Sequence, residues 1–104
     1  MKTNFELIGE IANEVHFVAL SVQEETKDSF YIRLLCEVIN YSLLNFMLNE
    51  DVKQLRLARS RLLTLQHITT DENGNQTIQW SSEDMISHIT DLIDRQHQLE
   101  GAVG

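Results

Sequence analysis

The chain has 104 residues, no proline, four glycines and one cysteine, Cys36; eight Lys and Arg against sixteen Asp and Glu give a net charge of -8. That length holds one modest core and not two, so a single domain over residues 1–104 is expected. The lone cysteine excludes a disulfide framework within the chain and a multi-cysteine zinc site. An apolar content of 42% argues against disorder, and the missing prolines suit long helices. The expected fold is mainly α: about four helices, with one small β-hairpin between the third and the last.

The first predicted helix covers residues 4–25. Thr3 and Glu6 fit a capping box, hydroxyl and carboxylate each satisfying a free amide at the helix start. Ile8, Ile11, Val15, Val18 and Val22 recur at 3-4-3-4 spacing, an amphipathic stripe. Phe17 and Leu20 fall off that stripe; at 100° per residue Phe17 lies opposite Ile8.

The second helix is expected over 29–49, with Asp28 as its cap. Apolar residues cover most of its circumference, leaving Arg33, Glu37 and Asn40 as a narrow polar stripe. A helix of this kind needs cover on more than one side, which a homodimer supplies more easily than a small monomer. Phe30 to Leu48 approaches the length of a membrane span, but Arg33, Glu37, Asn40 and Asn45 make insertion costly. The segment therefore reads as a buried helix of a soluble protein. The N-terminus lacks a basic region followed by an apolar run, so no secretory signal is expected and the cytoplasm is the expected location.

A third helix over 51–66 carries Val52, Leu55, Ala58, Leu62 and Leu65 as its core stripe. The period then changes. Residues 67–80 are rich in β-branched side chains around Asn73-Gly74, a hairpin signal. A three-residue loop, Glu72-Asn73-Gly74, would place Gly74 in a left-handed conformation and pair Ile68 with Ile78; a two-residue turn shifts the register by one. The last helix is expected over 82–100, opened by Ser81 and Asp84, with Met85, Ile86, Ile89, Leu92, Ile93 and Leu99 as its stripe and Gly101 as its stop.

Charge is unevenly placed. Residues 1–50 are net -5, residues 51–69 net +3 and residues 70–104 net -6. Lys53, Arg56, Arg59 and Arg61 crowd into the third helix, where they either balance the acidic helices or form a surface for phosphate. Lys53, Arg56, Ser60 and His67 share one polar sector of that helix and are the candidate nucleic-acid residues. In element order, three helices, a hairpin and a last helix, the chain resembles winged-helix DNA-binding domains. That resemblance implies a DNA-binding transcriptional regulator with the hairpin as a wing. The second helix is long for a helix-turn-helix, and the tip Asp71-Glu72-Asn73-Gly74-Asn75 is acidic where a wing faces phosphate.

Catalytic signals are sparse. Asp84, His88 and Asp91 lie on one side of the last helix, with Arg95 continuing the line, a pattern open to metal or proton chemistry but equally that of a solvated face with i, i+4 pairs. Asp94 and His97 form one carboxylate-x-x-histidine pair where a di-iron bundle needs two. Arg61 and His67 have the R-x5-H spacing of HEPN-type ribonucleases, yet six residues on one helix diverge by 240°. Cys36 reads as a small buried apolar residue. No metal, cofactor or catalysis is expected, a small nuclease or metal-dependent hydrolase being the enzyme alternative. Phe17, Leu20 and Leu44 are apolar residues on otherwise polar sides and are the candidate partner-binding residues; Gln96, polar within an apolar stripe, is a candidate for fixing helix register. The expected function is a small protein–protein interaction module (adaptor, antagonist or regulatory subunit) acting as a homodimer; the alternative is a winged-helix-like regulator that uses the basic third helix.

Overall fold

A computed structural model describes residues 1–103. It contains four helices: α1 (Asn4–Ser21), α2 (Lys27–Asn49), α3 (Val52–Ile68) and α4 (Ser82–Val103). Each packs on its neighbours in chain order and α4 returns to α1, while α1/α3 and α2/α4 stand on the diagonals with no close backbone approach. The helices therefore stand at the corners of a square. Cross-helix bonds give their directions. Glu14 meets Ser81 while Arg95 meets Lys2, so α4 runs antiparallel to α1. Gln66 meets Ser82 while Arg56 meets His97, so α4 also runs antiparallel to α3. The result is an up-down-up-down bundle, the arrangement that short connections favour.

The predicted stripes point inward. Ile11, Val15 and Val18 from α1, Ile39, Leu43 and Phe46 from α2, Leu55, Ala58, Leu62 and Leu65 from α3, and Ile89 and Leu92 from α4 are enclosed in one core. Leu99, assigned to the α4 stripe by its spacing, is exposed instead. Arg95 already meets Lys2, ahead of the start of α1, so by position 99 the helix has run past α1.

Local chemistry sets the ends. Thr3 and Glu6 form the capping box as read: the Glu6 N–H donates to Thr3 Oγ1 and the Thr3 N–H to Glu6 Oε1. α1 stops at Ser21, four residues short of expectation. Val22 is extended, and its carbonyl accepts from Arg33 Nη1 at 3.2 Å instead of from a further helical turn. α2 starts two residues early because Thr26, not Asp28, is the cap; its Oγ1 accepts from the Ser29 N–H. The corner between α2 and α3 needs only two residues. Glu50 takes φ 53°, the left-handed conformation usually given to glycine, and its N–H bonds Phe46 O at 2.7 Å. Gln96 Nε2 reaches Glu50 O at 3.3 Å, so the polar residue in the α4 stripe fastens α4 to this corner. Gly101 does not stop α4, which continues to Val103; one glycine in a helix costs only about 1 kcal/mol.

The expected β-hairpin over 67–80 does not form: no strand exists among the described residues, only one isolated bridge between Thr70 and Gln76. Its threonines serve helix termination instead. Thr69 Oγ1 donates to Leu65 O at 2.8 Å and Thr70 Oγ1 to Gln66 O at 2.7 Å, which carries α3 on through Ile68. Ile68 is then helical and unavailable as a strand partner for Ile78. The turn itself has the three-residue form. The Asp71 N–H bonds Asn75 O at 2.8 Å, Asp71 Oδ1 accepts from the Asn73 and Asn75 N–H groups, and Gly74 sits at φ 83°. Beyond it the chain is pinned to α3 by Trp80, which is buried and donates its indole N–H to Thr69 Oγ1 at 3.0 Å.

Candidate functional site

An exposed apolar line runs along α2. Its core-facing line is Leu35, Ile39, Leu43 and Phe46. The opposite line is Phe30, Leu34, Glu37, Tyr41, Leu44 and Leu48, every member exposed. The intervals are four, three, four, three and four residues, the repeat of a coiled-coil seam. Because α2 and α4 stand on a diagonal, the direction away from α4 points out of a corner of the bundle, and this seam occupies the corner. Glu37 is its one charged member. Among the described residues, neither the Glu37 carboxylate nor the Tyr41 hydroxyl has a hydrogen-bond partner.

Leu44 belongs to this seam; Phe17 and Leu20 do not. Both are exposed on α1, on the side away from its core stripe. The bond between Arg33 and the Val22 carbonyl sets the end of α1 beside the start of α2. Leu44 lies eleven residues beyond Arg33, about 16 Å along the helix at 1.5 Å per residue. The three residues are therefore not brought to one spot. The helical period of α2 alone contained the whole seam, but a helix apolar nearly all round does not reveal which side faces out.

The nucleic-acid candidates Lys53, Arg56, Ser60 and His67 are all exposed on α3. Arg56 is engaged: its Nη2 lies 2.8 Å from His97 Nε2. The other ring nitrogen of His97, Nδ1, faces Glu100 Oε2 at 3.7 Å. Arg59 donates from Nε to the Thr90 hydroxyl at 3.1 Å rather than to a carboxylate. The wing that the winged-helix resemblance requires is absent with the strands.

The last-helix cluster is dispersed by its partners. His88 Nε2 meets Glu10 Oε2 of α1 at 2.7 Å, and Arg95 pairs with Asp91 at 2.9 Å while its Nη1 donates to Lys2 O and Asn4 Oδ1. These contacts fasten α4 to α1. Glu10 also accepts from Lys2 Nζ, and that bond holds the Glu10 carboxyl below the usual carboxylate range against the opposing effect of desolvation. No group of three His, Cys, Asp or Glu side chains is placed to hold a metal among the described residues. Arg61 is half-buried beside Tyr31, Leu34 and Val38 of α2, whereas His67 is exposed by the connection to α4; the helix runs unbroken between them, so the pair does not converge. Cys36 is enclosed in the core, and burial pushes its thiol up to about 11. It stays protonated at neutral pH and is a poor nucleophile.

No helix among the described residues is long and apolar enough to cross a membrane. Comparison with protein-family models, with curated proteins and with solved structures returns no match.

Proposed function

We propose that the chain is a protein–protein interaction module without catalysis of its own, that it works as a homodimer, and that the outer seam of α2 is the contact surface. An adaptor, antagonist or regulatory subunit has this character. The observation that carries the reading is the exposed seam Phe30, Leu34, Tyr41, Leu44 and Leu48 at coiled-coil spacing. Single exposed apolar residues are ordinary, but an apolar line along a whole helix, broken here only by Glu37, marks an interaction site. The net charge of -8 over the whole chain favours solubility and limits unspecific association.

Sedimentation equilibrium tests this directly. A dimer is expected at protein concentrations of tens of micromolar, roughly the range in which a small specific interface is populated. Leu44→Glu is expected to return the chain to a monomer with unchanged helix content. A wild-type monomer at about 100 µM, well above that range, would overturn the reading.

A further inference from the structure

We infer that two copies of α2 pair antiparallel across a two-fold axis level with Ile39, so that Glu37 of each subunit accepts a hydrogen bond from the partner's Tyr41. The inference rests on the homodimer reading above and adds the orientation, the register and the specificity contact.

The seam is nearly palindromic about Ile39. In antiparallel register Phe30 meets the partner's Leu48, Leu34 meets the partner's Leu44, and Glu37 meets the partner's Tyr41. Every apolar member then finds an apolar member. The one carboxylate finds the one hydroxyl, each of which lacks a partner within its own chain among the described residues. A phenol donating to a carboxylate is a charge-assisted bond, stronger than a neutral one. A parallel pairing in register sets Glu37 against the partner's Glu37 in the middle of an apolar seam, where like charges repel and lose hydration together. Charge complementarity therefore selects the antiparallel form, as a single polar position does in coiled coils.

The area is sufficient, though small. Phe30, Leu34, Tyr41, Leu44 and Leu48 are 63%, 45%, 66%, 50% and 72% exposed. At roughly 200 Å² for a large side chain, this is about 600 Å² per subunit and about 1,200 Å² for the pair, at the lower bound of stable specific interfaces. Arg61 of α3 lies beside Leu34 at the rim of this seam, so the contact has a basic edge beside its apolar centre.

Orientation is measured by electron–electron distances between spin labels on Asn49→Cys in a Cys36→Ala background. Asn49 is ten residues from the proposed axis, so antiparallel pairing sets the two sites about 30 Å apart along the helices, whereas parallel pairing leaves them roughly one interhelix spacing apart, about 10 Å plus the label arms. Affinity is measured in parallel by sedimentation. Tyr41→Phe is expected to weaken the dimer at least tenfold, and Glu37→Gln to weaken it by a smaller factor because the amide oxygen still accepts. Both positions are exposed, so the fold tolerates either change. A dimer with the short distance, or one that Glu37→Gln tightens, overturns the antiparallel register while leaving the homodimer standing. A monomeric wild type overturns both.

Discussion

The connection between α3 and α4 offers a sharp stability test at Thr69. This residue is fully enclosed, its Oγ1 donates to Leu65 O at 2.8 Å, and the same oxygen accepts from the buried Trp80 indole at 3.0 Å. Thr69→Val keeps the shape and removes the hydroxyl, so the indole N–H is left buried without an acceptor. Leaving such a donor unmade costs about 1–3 kcal/mol, whereas the loss of the hydroxyl's own bond to a helix carbonyl that already accepts the Thr69 N–H costs little. A loss of about 2 kcal/mol lowers a urea midpoint by roughly 1 M at an m-value of about 2 kcal/mol/M. Trp80 is the only tryptophan, so its fluorescence reports this site, with far-UV circular dichroism as the global probe. Trp80→Phe removes the donor, and in that background Thr69→Val is expected to cost about 1 kcal/mol less than in the wild type. A single-variant loss under about 0.5 kcal/mol, below the penalty for an unmade buried donor, or strict additivity in the double variant, would refute the argument that this bond pins the connection.

Other regions give independent tests. Glu50→Gly relieves a non-glycine residue at φ 53° and is expected to stabilise by up to about 1 kcal/mol, net of the added freedom of the unfolded chain, in chemical denaturation. The Glu10 carboxyl titrates below its ordinary value of 4.5; its contribution is present above that value and is lost as pH falls through the lower folded value, so acid titration of the midpoint should be shallower in Glu10→Gln. Leu62→Ala in the core, at 0% exposure, is expected to cost about 2–5 kcal/mol, while Leu48→Ala on the α2 seam leaves the stability of the subunit unchanged and weakens self-association. Duplex DNA in a low-salt gel shift is expected to run unretarded, since Arg56 is engaged with His97 and no wing is present; salt-sensitive binding would revive the basic-helix reading.

The helices and their inward faces were legible because each stripe repeats at helical spacing over several turns, as Ile11, Val15 and Val18 do. The Thr3–Glu6 box was legible because both arms are local. What failed was context. A β-branched residue serves a strand or a helix end equally well, and the Thr69 and Thr70 hydroxyls bond the carbonyls of Leu65 and Gln66 at the end of α3 instead of joining a strand. The end of α1 depended on Arg33, eleven residues away from the carbonyl it takes. The seam on α2 was half visible: Leu44 stood out as a single residue, whereas Phe30, Leu34, Tyr41 and Leu48 were simply part of an apolar circumference, and only the packing shows which side the neighbours leave bare.

The square arrangement has a consequence for the chain as a polymer. Three of its four helix contacts join consecutive elements, and only the α1–α4 contact closes over a long stretch of sequence. Local pairings of this kind form without a large loop-closure penalty, which favours fast folding. At one end of this contact Arg95 bonds the Lys2 carbonyl, so the start of α1 and the later turns of α4 lie at the same end of the bundle. The Asn73-Gly74 turn lies between α3 and α4 at the opposite end. Joining the end of α4 to the start of α1 with a flexible linker and opening the chain at Gly74 therefore yields a circular permutant in which α4 leads into α1. The same square is retained, and the former long-range contact becomes a local one.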